Sequence, residues 1–185
     1  MRIIGGEAGG RTIASPKGLK VRPTSEMVRE ALFNILGSLE GTTFADIFAG
    51  TGCVGIEALS RGASKVAFVE KNPRMAHQIE NVVQELGYVS RAEVLATDVK
   101  NGILRLSRAN RPYDIVFADP PYERDYISKT VQYCLEGELM SKDGLMVIQH
   151  SVRELLALPS GMKAFINVLE QRRYGDTAIS FIRYI

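Results

Sequence analysis

Apolar and polar positions along the chain follow two alternating patterns, one typical of amphipathic helices and the other of buried strands. Apolar residues three or four positions apart predict helices over 25–36, over 53–61 and between Asn72 and Gly87. The same spacing predicts shorter helices near 99–106, around 127–135 and near 152–157. Apolar runs between the helices predict strands at 44–48, 65–69, 92–96, 113–118 and 145–149.

The first predicted helix carries signals at both of its ends. Thr24 or Ser25 can accept a hydrogen bond from its first turn, and Gly37 can end it. Its predicted buried face consists of four apolar residues: Val28, Leu32, Ile35 and Leu36. Arg29 and Glu30 are predicted to lie on the polar side of the helix.

The order of the elements predicts an α/β fold. Strands that alternate with helices form a parallel, doubly wound sheet, because each crossover helix packs back onto that sheet. The last two apolar runs, 164–171 and 177–184, are joined by a tight turn at 173–176 and predict a closing antiparallel hairpin. Nucleotide-binding and methyltransferase-type proteins share this plan, and the pattern alone does not separate them.

The first 24 residues differ in character from the rest of the chain. Short β-like runs at 2–4 and 11–13 lie beside two glycine pairs, which predicts a hairpin arm over 1–24 and a main domain over 25–185. The stretch 11–22 carries basic side chains and no acidic one: Arg11, Lys17, Lys20 and Arg22. Such a segment can lie along phosphates or can be a solvated loop, and charge alone favours neither.

Length and composition narrow the class of protein. Of the 185 residues, 45% are hydrophobic and 24% charged, which suits one folded domain. The chain has neither an apolar run of the roughly 20 residues that a membrane helix needs nor a secretory signal, so we expect a cytoplasmic protein. Cys53, Cys134, His77 and His150 are scattered along the sequence, so we expect no metal site.

The turn after the first strand is a candidate cofactor site. Gly50, Gly52 and Gly55 fit the pattern G-x-G-x-x-G, which lets the backbone turn sharply and approach a ligand. NAD enzymes share this pattern, and Glu70 at the end of the second strand could bind ribose hydroxyls in either class. Asp46 favours a different ligand, because its carboxylate would repel a pyrophosphate but suits the cationic amino group of S-adenosylmethionine.

Asp98 follows the third strand and is a second candidate for the cofactor. The carboxyl ends of parallel strands gather the ligand in doubly wound sheets, so Asp98 could accept a hydrogen bond from an adenine amino group. It could equally cap the helix that is predicted to begin at Val99, and both roles are compatible.

The tetrapeptide Asp119-Pro120-Pro121-Tyr122, after the most apolar strand, is the candidate catalytic site. Two consecutive prolines stiffen the backbone and remove two N–H donors. An amino group on a conjugated ring is a weak nucleophile, because its lone pair is delocalised. The Asp119 carboxylate and the Pro120 carbonyl can each accept one N–H and so direct the lone pair at a methyl group. Tyr122 can stack on a base.

These motifs resemble a known group of enzymes. Asp-Pro-Pro-Tyr after the fourth strand, with Asp-x-Phe-x-Gly-x-Gly after the first, resembles the amino-methyltransferases. Three further stretches resemble the RsmD family, the bacterial 16S rRNA guanine-N2 methyltransferases of the small ribosomal subunit. They are Gly5-Gly6 to Gly10-Arg11, Arg22-Pro23-Thr24, and Val28 to Asn34. The resemblance covers nearly the whole chain, although its last forty residues match only in general pattern.

The resemblance implies a fold, a cofactor and a substrate. The fold is a Rossmann-like, seven-stranded class I methyltransferase sheet with an N-terminal β-hairpin arm. The cofactor is S-adenosylmethionine, held also by Phe48 and Thr51, although family turns often have Ser at the position of Thr51. The substrate is a guanine in 16S rRNA, approached by the basic arm of an enzyme that we expect to be a monomer.

Three arginines are candidate contacts to RNA phosphates: Arg11, Arg22 and Arg29. Arg22-Pro23-Thr24 is a stiff, basic entry to the first helix. The alternative is that these arginines are ordinary solvated charges or form ion pairs with Glu26 or Glu30.

Other functions remain open on the sequence alone. The same chemistry could act on an adenine in DNA or RNA, or on a protein glutamine. An NAD-dependent oxidoreductase would explain the glycines and Glu70 but not Asp-Pro-Pro-Tyr. A non-catalytic RNA-binding module would leave Asp119 without a role.

Overall fold

The computed structural model describes residues 1–13, 25–109, 111–121, 126–154, 156, 161 and 165–184. The chain divides into two compact units, Met1–Asp98 and Val99–Ile185. The predicted boundary at residue 24 stays a prediction, because it falls outside the described residues.

The first unit is a parallel three-stranded sheet with helices. Its elements are α1 (Glu26–Leu36), β1 (Thr43–Ile47), α2 (Cys53–Ser60), β2 (Lys65–Glu70), α3 (Pro73–Glu85), a 3₁₀ turn (Val89–Arg91) and β3 (Ala92–Ala96). The strand order is β3-β2-β1, and both pairs are parallel. β1 and β2 are buried along almost their whole length, and their interior positions are apolar except for the buried Asp46 of β1.

The second unit combines a parallel pair with an antiparallel hairpin. Its elements are α4 (Val99–Arg108), β4 (Tyr113–Ala118), α5 (Tyr126–Glu136), β5 (Met140–Ser151), β6 (Ile166–Tyr174) and β7 (Thr177–Tyr184). The strand order is β4-β5-β7-β6. β4 and β5 are parallel, whereas β7 pairs antiparallel with β5 and β6. Gly175, with φ of 62°, lies in the two-residue turn of the hairpin.

The fold-class prediction is confirmed. The two units contain seven strands, five of them alternating with helices and two forming the closing hairpin. No helix in the described parts of the chain is long and apolar enough to cross a membrane. Cys53 and Cys134 are buried free thiols.

Three local predictions need correction. The buried face of α1 consists of Val28, Arg29, Leu32 and Phe33, so Ile35 and Leu36 lie at its margin. β5 begins before Asp143-Gly144, which falls in an irregularity of its pairing with β4. Residues 152–154 form a turn and not the start of a helix.

The described part of the N-terminal arm forms a short hairpin. Arg2 and Thr12 form an antiparallel bridge, and the Ile3 N–H donates to the Arg11 carbonyl at 2.9 Å. Glu57, a fully buried acid of α2, accepts hydrogen bonds from the Ile4 and Gly5 N–H groups, each at 2.8 Å. The arm is therefore held to α2 through a carboxylate rather than through apolar contacts alone.

Candidate functional site

The turn between β1 and α2 has an unusual backbone. Phe48, Gly50 and Gly52 have φ values of 71°, 56° and 74°. Left-handed conformations are ordinary for glycine but uncommon for phenylalanine, and they concentrate at functional sites. The Gly52 N–H donates to the Ala49 carbonyl at 2.7 Å, which closes the turn directly before α2 begins. Thr51 lies half-buried between the two glycines.

Gly55 and Asp46 fix the start of α2 against the sheet. A Cβ atom on Gly55 would lie 2.3 Å from the Phe68 ring, so only glycine allows α2 to approach β2 so closely. The Gly55 N–H donates to Oδ2 of Asp46 at 2.9 Å. Asp46 is only 1% exposed, and its negative charge lies at the positive end of the helix dipole.

Glu70 belongs to the same turn. Its Oε2 accepts a hydrogen bond from the Gly50 N–H at 2.8 Å, and its Oε1 accepts one from the Asn72 N–H at 2.7 Å. The structure thus brings Glu70 directly to the glycine turn, whereas its predicted contact with ribose hydroxyls stays a prediction. Because two backbone groups bind the carboxylate, it is held in position before any ligand arrives.

Asp98 is exposed and directly precedes α4. This position agrees with both roles predicted for it, at the carboxyl end of β3 and at the start of the next helix. Its contact with an adenine stays a prediction.

In the second unit, Asp119 follows β4 directly and precedes a buried Pro120 and an exposed Pro121. Its Oδ2 accepts a hydrogen bond from Nε2 of Gln149 on β5, at 2.9 Å. Burial raises the pKa of Asp119 to about 7, and the Gln149 hydrogen bond opposes the rise. Asp119 thus changes charge near neutral pH, which is typical of a functional carboxyl group. Tyr122 lies outside the described residues.

Gln149 is a site residue that the sequence analysis missed. It is 5% exposed and follows the apolar run of β5, where a buried amide needs a polar partner. The available signal was a polar side chain at the end of an otherwise apolar strand. Its partner Asp119 is 30 residues away in sequence, so local spacing could not connect them.

The three arginines predicted to contact RNA differ in where the structure places their side chains. Arg11 is half-exposed and lies 3.7 Å from Glu85, and Arg22 lies outside the described residues. The prediction for Arg29 is wrong, because its side chain is only 1% exposed and donates to the Arg2 carbonyl. Its Nε lies 3.6 Å from Oε2 of Glu57, which compensates the buried charge. Arg29 therefore binds the protein itself.

No group of three or more potential metal ligands occurs in the parts of the chain that the structure describes. The carboxylates of the candidate site bind groups of the protein itself. In the first unit, Asp46 and Glu70 bind the backbone of the glycine turn, and in the second, Asp119 binds Gln149.

Comparison with known proteins identifies the family. A family model described as Conserved hypothetical protein 95 matches residues 1–183. Ribosomal RNA small subunit methyltransferase D of Escherichia coli K12 is 30% identical over 82% of this chain and 75% of its own length. The chain belongs to this RsmD family.

Two further proteins to which this chain is similar extend the match over the whole chain. YlbH of Bacillus subtilis is 28% identical over 99% of this chain and 98% of its own length. The solved structure of yhhF from Escherichia coli is 26% identical and covers 100% of this chain and 98% of its own, with a TM-score of 0.86. The family and the Rossmann-like fold predicted from the sequence are both confirmed.

Proposed function

We propose that this chain transfers a methyl group from S-adenosylmethionine to the exocyclic N2 amino group of a guanine in 16S rRNA of the small ribosomal subunit. Family membership supports methyl transfer to ribosomal RNA, because relatives carry the name ribosomal RNA small subunit methyltransferase D. The observation that carries the proposal is a buried carboxyl group, Asp119, followed at once by two prolines.

The residues of the first unit fit S-adenosylmethionine chemically. The cofactor has a ribose diol, a cationic amino group and an adenine, and it supplies an electrophilic methyl carbon on a positively charged sulfur. Glu70 would accept from the ribose hydroxyls, Asp46 would balance the amino group, and Asp98 would accept from the adenine. The turn that runs from Phe48 through Gly50, Thr51 and Gly52 would provide the close backbone surface.

The residues of the second unit fit a conjugated amine. The ionised Asp119 carboxylate can only accept hydrogen bonds, and the Pro120 carbonyl also can only accept. Together they take one N–H each and hold the nitrogen lone pair towards the methyl carbon. Positioning of this kind can lower a barrier by roughly 7–11 kcal/mol. Tyr122 would stack on the extruded base.

Asp119 also suits the proton balance of the reaction. When the nitrogen gains a methyl group, it carries one proton too many and must release it. A carboxylate whose pKa lies at about 7 can take that proton and return it to solvent near neutral pH. Pro121, which lacks an N–H, keeps a competing donor away from this position.

The basic arm would meet the RNA backbone. Arg11, half-exposed beside Glu85, and Arg22 are the proposed phosphate contacts. Exposed ion pairs contribute little stability, so Arg11 can exchange Glu85 for a phosphate at little cost. The arm would in this way bind the phosphates of 16S rRNA, either in the small ribosomal subunit or in free RNA.

The direct test is to incubate the protein with methyl-labelled S-adenosylmethionine and either small ribosomal subunits or free 16S rRNA. The labelled RNA is digested to nucleosides, which are separated by chromatography, and the labelled position is mapped. Label in N2-methylguanosine is expected, whereas label in N6-methyladenosine would assign the adenine alternative. Calorimetric titration with S-adenosylmethionine and with NAD tests the oxidoreductase alternative, and binding of NAD alone would contradict the proposal.

A further inference from the structure

Gln149 carries an unexplained polar atom beside the proposed catalytic carboxylate. Its Nε2 donates to Oδ2 of Asp119. In the ionised state that takes the substrate amine, the carboxylate can only accept, and this fixes the orientation of the amide. The other end of the amide, Oε1, is buried and has no hydrogen-bond partner among the described residues. A buried acceptor without a donor is unfavourable, and in a native protein it calls for an explanation.

The covalent structure of the amide restricts where that acceptor lies. Oε1 and Nε2 are bonded to the same carbon, so Oε1 must lie next to the Asp119 carboxylate that Nε2 contacts. The site therefore places an unpaired acceptor beside the group that takes the substrate amine. A ligand that offers a second N–H adjacent to its amino group would satisfy both acceptors at once.

Guanine and adenine differ in whether the ring nitrogen beside the amino group carries a hydrogen that can be donated. Guanine presents two N–H donors on N2 and a third on the neighbouring ring nitrogen N1. Adenine presents two N–H donors on N6, but its N1 is an acceptor. An acceptor beside the amine-binding carboxylate therefore matches guanine and repels adenine, since two lone pairs would face each other.

We propose that Gln149 is a specificity-determining residue, whose Oε1 accepts the N1–H of the target guanine while Asp119 and the Pro120 carbonyl accept the N2 hydrogens. The proposal about Gln149 rests on the proposed function, and it explains why the enzyme would select guanine over adenine. Three acceptors then meet the three donors of the guanine edge. The same amide holds Asp119 in place through Oδ2, so one side chain orients the catalytic group and reads the base.

The test compares RNA oligonucleotides that span the mapped nucleotide and carry either guanosine or 2-aminopurine riboside there. The 2-aminopurine retains the amino group but has no N1–H. If the isolated oligonucleotides are not methylated, their relative binding is measured instead by how strongly each one competitively inhibits methylation of small ribosomal subunits. The wild-type protein is expected to favour guanosine by at least about tenfold. Equal use of the two bases by the wild-type protein would overturn the proposal without any variant.

Variants of Gln149 separate recognition of N1–H from general damage. Gln149→Met removes the acceptor and should reduce the guanosine preference about tenfold or more. In Gln149→Glu the two neighbouring carboxyl groups share one proton, so the variant still has a donor towards Asp119 and a free acceptor oxygen. It should retain the guanosine preference even if the rate falls. Ser180→Ala, which removes a different buried hydrogen-bond partner on β7, is the matched control and should keep the wild-type preference. Equal losses on both bases in Gln149→Met would reduce Gln149 to a structural role.

These outcomes are distinguishable from failure of the proposed function. If the mapped product is N6-methyladenosine, or if no methyl group is transferred, the function itself is wrong. If N2 of both bases is methylated with equal efficiency, the function stands and the role of Gln149 is wrong.

Discussion

At the scale of single residues, the protein keeps several charged groups in buried positions and gives each a partner. Asp46 binds a helix N–H, Glu57 binds two N–H groups of the arm, and Asp119 binds the amide of Gln149. Burial disfavours the ionised form of a carboxyl group, and hydrogen bonds to that form oppose the effect. At Asp119 burial outweighs the Gln149 hydrogen bond and raises the pKa to about 7.

Replacement of Asp119 tests its role in holding the amine. Asp119→Asn keeps the shape of the side chain but removes the carboxylate, so methyl transfer should fall by at least about a hundredfold. Binding of S-adenosylmethionine, measured by calorimetry, should stay within about threefold of the wild type. Asp114→Asn makes the same change at an exposed position of β4 and should leave methyl transfer intact. Full activity of Asp119→Asn would remove the residue from the mechanism.

The raised pKa of Asp119 predicts opposite effects of pH on activity and on stability. Only the ionised form accepts the amine, so kcat should rise with pH through about 7 and then level off. The unfolded carboxyl group ionises near its ordinary value of about 3.9, so the folded state binds the proton more tightly. The contribution of Asp119 to the free energy of unfolding should therefore fall as pH rises from about 4 to about 7.

Two measurements check this pair of effects. The pH profile of kcat should lose its acidic limb near 7 in variants of Asp119 that retain any activity. The pH dependence of urea unfolding should flatten between pH 4 and 7 in Asp119→Asn relative to the wild type, because the titrating group is gone. A wild-type profile without a limb near neutral pH would contradict the assignment.

At the scale of elements, two close contacts set the position of α2. Gly55 allows the helix to approach Phe68 on β2, and Glu57, two residues further along the same short helix, binds the N-terminal arm. Gly52 caps the start of the helix in a left-handed conformation. A Cβ atom added to Gly52 would lie 2.9 Å from the Ile79 side chain of α3. Packing alone therefore requires glycine at positions 52 and 55.

Gly55→Ala tests this packing. A Cβ atom 2.3 Å from the Phe68 ring must displace α2 or the ring, which should cost about 1–3 kcal/mol of unfolding free energy. Because the displacement moves the glycine turn, binding of S-adenosylmethionine should weaken as well. Gly161→Ala, where a Cβ atom meets nothing within 4 Å among the residues that the structure describes, is the control for the same substitution. Chemical denaturation and calorimetry measure the two effects, and an unchanged unfolding free energy would refute the packing argument.

Glu57→Ala tests how the arm is held. The substitution leaves Arg29 as an uncompensated buried charge and frees the Ile4 and Gly5 N–H groups, so we expect a loss of about 3–5 kcal/mol. Hydrogen exchange at the Ile4 and Gly5 amides should accelerate more than exchange in β2. Glu93→Ala, which removes one partner of an exposed ion pair with Lys65, should change stability by less than about 1 kcal/mol. Unchanged exchange at the arm amides would show that other contacts hold it.

At the scale of the whole molecule, the sequence predicts elements well and long-range polar partners poorly. The bounds of β3 and β4 agree with the prediction, although each strand carries one acidic residue, Glu93 or Asp114. Arg29 was assigned to the polar face of α1, because its partner Glu57 is 28 residues away and invisible to a helical pattern. Gln149 was missed for the same reason. Local spacing encodes which face of an element is buried, whereas compensation of buried charge depends on tertiary neighbours.

Because Arg29 is buried and Arg22 lies outside the described residues, the proposed contact between the arm and RNA depends on Arg11 among the residues that the structure describes. Each phosphate contact releases counterions, which contributes about 0.7–0.9 to the slope of log K against log salt. Arg11→Gln should therefore lower the magnitude of that slope for 16S rRNA binding by about this amount. Binding of S-adenosylmethionine should not change, since Arg11 lies in an exposed ion pair with Glu85.

Arg172→Gln provides the matched control for this experiment. Arg172 also pairs with an exposed acid, Glu170, and it is exposed to a similar degree, at 47% against 50% for Arg11. If net charge alone drives binding, both substitutions will reduce the affinity equally. If the arm makes a defined phosphate contact, only Arg11→Gln will reduce the salt slope. An unchanged slope in Arg11→Gln would remove this residue from the RNA interface and leave Arg22 to be tested in the same way.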